Sequence, residues 1–188
     1  MLPPARRDTS NGIIAPENYQ LSWRVHVLPF LGYANLYSQF RLAEPWDSPH
    51  NSQLLKCMPD CFRDATASPT SSETRIMSFS GPGTLFPAVG DATKLSQITD
   101  GISAMIAFFQ APPNQTVPWT KPEDYELDAT SVTTATPALS KLRNALGIEI
   151  ALIDGSVLTI PPDYPLEKIQ AMITPRGGEV VNASELRN

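Results

Sequence analysis

The chain has 188 residues, of which 41% are hydrophobic and 18% charged, with 19 prolines and a formal net charge of −5. That length suits a single domain, residues 1–188, with a core of its own, and the balance excludes a disordered or fibrous chain. The acidic balance, with no basic cluster longer than Arg6-Arg7, argues against a nucleic-acid partner.

Proline is about twice as common as the usual ~5%, which predicts many turns and irregular edges. No run approaches the ~18 apolar residues of a membrane span, and "MLPPARRDTSNG" lacks the apolar region of a signal peptide. The chain itself is therefore expected to be soluble. A domain cut from a longer protein would read the same way.

In chain order, the first element is "LSWRVHVLPFLGYANLYSQF", Leu21 to Phe40. Its opening alternates like a strand, but Ser22 can cap a helix, and Val27, Leu28 and Leu31 fit helical spacing. The favoured reading is a helix broken at Pro29. In "EPWDSPHN", Glu44 to Asn51, Ser48 is a good N-cap and Pro49 suits the first helical position. Leu54, Leu55 and Met58 then share a face, so a short helix is predicted from Pro49 to about Cys57, ended by Pro59. Trp46 is expected to cover the corner as an apolar plug.

The middle reads as β-structure with long loops: "TRIMSF" (Thr74 to Phe79), turns at Gly81-Pro82-Gly83 and Asp100-Gly101, and a strand over Ile102 to Gln110. The proline-rich "APPNQTVPWTKPEDYE" is an edge or a loop. "GIEIALIDGSVLTI", Gly147 to Ile160, is the strongest local signal: two β-branched runs around Asp154-Gly155 predict a hairpin with a two-residue type I′ turn. A helix follows, with Leu166, Ile169, Met172 and Ile173 on one face. Gly177-Gly178 stops it, and "EVVN" offers a last short strand. The order predicts an α+β domain on an antiparallel sheet.

Few residues look like chemistry. A zinc site would draw on His26, His50, Cys57 and Cys61, the only His and Cys residues present, but their spacing lacks the paired repeat of a finger. A disulfide between Cys57 and Cys61 requires the backbone to bend at Met58-Pro59. A thiol nucleophile beside His50 would sit on the last turn of a helix, facing the negative end of its dipole. "GPGT", Gly81 to Thr84, lacks the rest of a phosphate loop. Asp91, Asp100 and Asp154 are oxygen donors suited to calcium, but they lack EF-hand alternation and read first as turn formers. Catalytic residues and a resident cofactor are not expected.

Taken together, "LPPAR", the run from "LSWRVHVLPFLGYANLYSQFRLAEPWDSPHNSQLLKCMPD", "GPGTLF", "ITDG", "VPWTKPED", "DGSV" and "GGEVV" resemble, in order, the large planctomycete family known as domain of unknown function 1559. The resemblance implies a pilin-like head with an antiparallel sheet and short helices. It also implies a prepilin-type leader and a long apolar helix ahead of the head, as in type IV pilins and type II secretion pseudopilins. That helix is missing here, and Met1 reads as an added start. Asn144 stands where many members carry a His ahead of the hairpin, "ISAMI" replaces a more polar run, and Cys57 and Cys61 replace residues expected not to be cysteine.

The leading expectation is a non-enzymatic structural or interaction domain of the cell envelope, working through protein partners or self-assembly. It would reach the membrane only through the missing helix. Without that helix, an apolar groove should open on the sheet unless Leu21 to Phe40 fills it. The alternative is an extracytoplasmic module binding calcium or glycan through its long loops, with Trp119 and Tyr125 as the aromatics of the site.

Overall fold

The computed structural model describes residues 20–86, 93, 95–99, 101–127, 136–142, 146–175 and 183–186. Leu21 to Phe40 forms the expected broken helical segment: α1 (Trp23–His26), a 3₁₀ turn (Leu28–Leu31) and α2 (Ala34–Tyr37). Ser22 sits outside helical conformation, at φ −60° and ψ 153°, and its Oγ accepts the Arg24 N–H at 3.2 Å, which caps α1. The segment breaks at Pro29, and Gly32 closes the 3₁₀ turn at φ 85°, a left-handed conformation that favours glycine.

Ser48 accepts the Asn51 N–H at 3.0 Å, as a cap should, but Asn51–Cys57 winds as 3₁₀ turns and not as the predicted α-helix. Pro59 forces Met58 into an extended conformation (φ −56°, ψ 123°), which ends the run there. Leu54, Leu55 and Met58 still face the core as the spacing predicts.

β1 (Glu73–Thr74), β2 (Ile76–Met77) and β3 (Phe79–Ser80) follow one another along an extended run, and each takes a different partner. β1 pairs antiparallel with β5 (Val117–Pro118), β2 antiparallel with β4 (Ile106–Gln110), and β3 parallel with β6 (Tyr125–Glu126). The predicted strand over Ile102 to Gln110 begins only at Ile106. Before it, the Ala104 N–H turns back to the Gly101 carbonyl at 3.3 Å.

The main sheet has the order β2-β4-β7-β8, with β7 (Ile148–Leu152) and β8 (Val157–Ile160), and every pairing in it is antiparallel. With the short helices around it, the domain is α+β. β7 and β8 form the predicted hairpin, but its loop is one residue longer than a two-residue turn. The Gly155 N–H donates to the Leu152 carbonyl at 3.0 Å with Gly155 at φ 87°, a three-residue loop with its last residue left-handed.

Apolar residues cover both sides of the sheet. On one side Ile148, Ile150, Leu152 and Phe109 pack against Leu139 of α3 (Thr136–Ser140) and Ile169 of α4 (Leu166–Ala171), with Met172 and Ile173 just beyond. On the other, Leu21, Trp23, Val25 and Leu28 gather Phe62 and Trp119 and close on Ile76 and Phe108. Trp23 stacks on Phe108 with ring centroids 4.2 Å apart and planes 20° from parallel. The Leu21 to Phe40 segment thus fills the sheet face at β2 and β4. Gly177-Gly178 and "EVVN" lie outside the described residues.

Candidate functional site

A buried polar cluster forms where α1, the β2–β3 run and the proline-rich loop meet. Arg24 is fully buried, and its Nη2 donates to Asp124 Oδ1 at 3.0 Å. Its Nη1 donates to Ser22 Oγ at 2.7 Å and its Nε to the Ile76 carbonyl at 2.9 Å. The same carboxylate oxygen accepts the Trp23 indole N–H at 3.1 Å and the Ser78 N–H at 2.9 Å. Burial pulls the Arg24 pKa below its ordinary value, and Asp124 works in the opposite direction. A buried ion pair of this kind needs supporting hydrogen bonds, which Ser22, Ile76, Trp23 and Ser78 supply here. The cluster locks α1 to the sheet and the loop.

A second hub is built by "EPWDSPHN". Asn51 is fully buried; its Nδ2 donates to the carbonyls of Arg41, Glu44 and Pro45 at 3.0–3.1 Å, and its Oδ1 accepts the Arg41 N–H at 3.0 Å. His50 Nε2–H donates to the Gln39 carbonyl at 2.8 Å, tying the corner to the end of the Leu21 to Phe40 segment. Trp46 is half-buried against the same core, with the Lys121 ammonium 5.9 Å from its ring centroid. The motif is a structural corner.

A third polar group lies on the side of the sheet away from α4. Arg75 Nε pairs with Asp64, and its Nη1 donates to the Ala111 carbonyl at 2.8 Å. With the Gln110 amide oxygen facing Arg75 Nη2 at 3.0 Å, its amide nitrogen donates to Glu149. Arg75 holds the Asp64 carboxyl at about 2, below the ordinary 3.8.

The residues weighed as ligands fall in scattered places. Trp119 is not an exposed loop aromatic: it is fully buried, stacked on Phe62, and its indole N–H donates to the Leu55 carbonyl at 2.8 Å. Trp119 directly follows β5, and its backbone N–H donates to the Ser72 carbonyl at 3.0 Å, which holds the ring inward. Tyr125 is half-buried in β6, its hydroxyl donates to the Ala138 carbonyl at 2.9 Å, and burial pushes its pKa up. Asp154 accepts the Ser156 N–H at 2.9 Å within its own turn. Asp91 and Asp100 lie outside the described residues. Among the described residues no three His, Cys, Asp or Glu side chains gather to hold a metal. His26 faces Tyr37 edge-on, Cys57 and Cys61 are exposed free thiols, and burial raises the pKa of Cys61.

One surface feature stands out. The 3₁₀ turn after α1 points Phe30 outward at 87% exposure, with Leu31 and Tyr33 also exposed beside it. Among the described residues, no helix is long and apolar enough to cross a membrane.

The signals for the two hubs were present in the sequence: a lone Arg between Trp23 and Val25, an Asp in "VPWTKPED", and an Asn closing "EPWDSPHN". None of them can be matched to its partner without the fold. No curated protein and no solved structure matches the chain. Residues 1–75, which include α1, α2 and the Asn51 corner, match the model of a family described as protein of unknown function (DUF1559).

Proposed function

We propose that the chain is the non-enzymatic head of a cell-envelope protein, resembling a pseudopilin head, and that it works by contact with protein partners or with further copies of itself. In its native setting it is anchored or assembled through an apolar helix N-terminal to this domain. The observation that carries the reading is the two-sided build of the Leu21 to Phe40 segment. Its inner side is locked by the Arg24–Asp124 cluster, while its outer side presents Phe30, Leu31 and Tyr33 to solvent. Large apolar side chains grouped on a surface mark interaction sites more often than isolated ones do.

Light scattering over a concentration series, with a hydrophobic dye as a second probe, tests this. The reading expects association or dye binding that Phe30→Glu weakens. A strict monomer that binds no dye contradicts it.

A further inference from the structure

Cys57 and Cys61 are both free and exposed, and the stretch between them is pinned. Met58 is buried and its carbonyl accepts from Arg63 Nη2 at 3.1 Å. Phe62 is buried against Trp23 and Trp119, and its carbonyl accepts the Thr74 hydroxyl at 2.7 Å. The bend that a local disulfide needs is absent. Met58 (φ −56°, ψ 123°) and Pro59 (φ −58°, ψ 145°) are both extended.

Two such residues carry the chain at ~3.1 Å per residue, so Cys57 to Asp60 spans about 9 Å, with Cys61 in a new turn beyond. A disulfide needs Cα atoms no more than about 7 Å apart. Closing one here means drawing Met58 or Phe62 out of the core.

We propose that Cys57 and Cys61 are two separate S-thiolation sites, each taking one small-molecule disulfide, and not a redox pair that closes on itself. The cysteine thiolate attacks one sulfur of the disulfide and the old S–S bond breaks. A protein–small-thiol disulfide forms, and the other half leaves as a thiolate that takes up the cysteine's proton. In a true redox pair the second cysteine would displace the adduct, and here it is held out of reach. Cys57 reacts first, because the Cys61 thiol is held up by desolvation and by Asp60.

The test is intact-protein mass spectrometry of the full chain after incubation with oxidised glutathione, on the wild type, Cys57→Ser and Cys61→Ser. The expected result is one glutathionyl group and then a second on the wild type, one on each variant, and Cys57 modified at a rate changed by less than about twofold when Cys61 is Ser. A wild type that loses both thiols without carrying glutathione has closed the internal bridge and overturns the proposal. So does modification of Cys61 ahead of Cys57, or failure of either thiol to react.

Discussion

Arg24 Nη2 and Asp124 Oδ1 meet at 3.0 Å with both side chains sealed from solvent, 0% and 3% exposed. This pair joins the helical N-terminal segment to a loop a hundred residues away in sequence, and Trp23 and Ser78 donate to the same carboxylate. Removing one partner strands the other charge. Arg24→Ala and Asp124→Ala are each expected to lower stability by about 3–5 kcal/mol in urea unfolding. The paired change Arg24→Met with Asp124→Leu should cost clearly less than the two single losses added together.

Asn51 tells donor from acceptor. Its Nδ2 faces three carbonyls, so Asn51→Asp replaces a donor with a carboxylate pointed at acceptors. Asn51→Ala should cost about 1–3 kcal/mol, and Asn51→Asp more, despite its closer shape. Thermal melts of the two variants check the order.

Glycines separate in the same way. A Cβ on Gly81 would lie 1.9 Å from the Leu127 carbonyl oxygen, with φ at 135°, whereas one on Gly155 meets nothing within 4 Å at φ 87°. Gly155→Ala should therefore cost only about 1–2 kcal/mol of backbone strain. Gly81→Ala must push β3 away from Leu127 and should leave little folded protein, as circular dichroism would show.

Acid should unfold the domain in two stages. Burial lowers the pKa of His26 in the folded state, so the unfolded chain binds its proton more readily, and stability falls as pH drops below about 6.5. Asp64, held at about 2 against an ordinary 3.8, supplies stability that is fully present above its unfolded pKa and lost as pH falls through 2. Its contribution at neutral pH is at most about 2.5 kcal/mol, less any solvent screening. Urea midpoints measured from pH 8 to pH 2 should lose the lower stage in Asp64→Asn and the upper one in His26→Phe.

Local punctuation was readable in the sequence because it depends on one or two residues. The Ser22 cap, the breaks at Pro29 and Pro59, the Gly147 to Ile160 hairpin and the Ile169 face all follow from it. Pairings were not readable. The run from Glu73 to Ser80 looks like one strand, yet it pairs with three separate strands. Trp119 looked available in a proline-rich loop, and only the distant Ser72 and Leu55 carbonyls that accept its backbone and indole N–H show that it is core. Arg24 and Asp124 likewise become a pair only once the sheet brings them together.

The most direct measurement is fractionation of host cells producing the native gene product, probed with an antibody raised against this domain. The account predicts the protein in the envelope fraction or outside the cell. Recovery solely from the cytosolic fraction would contradict it.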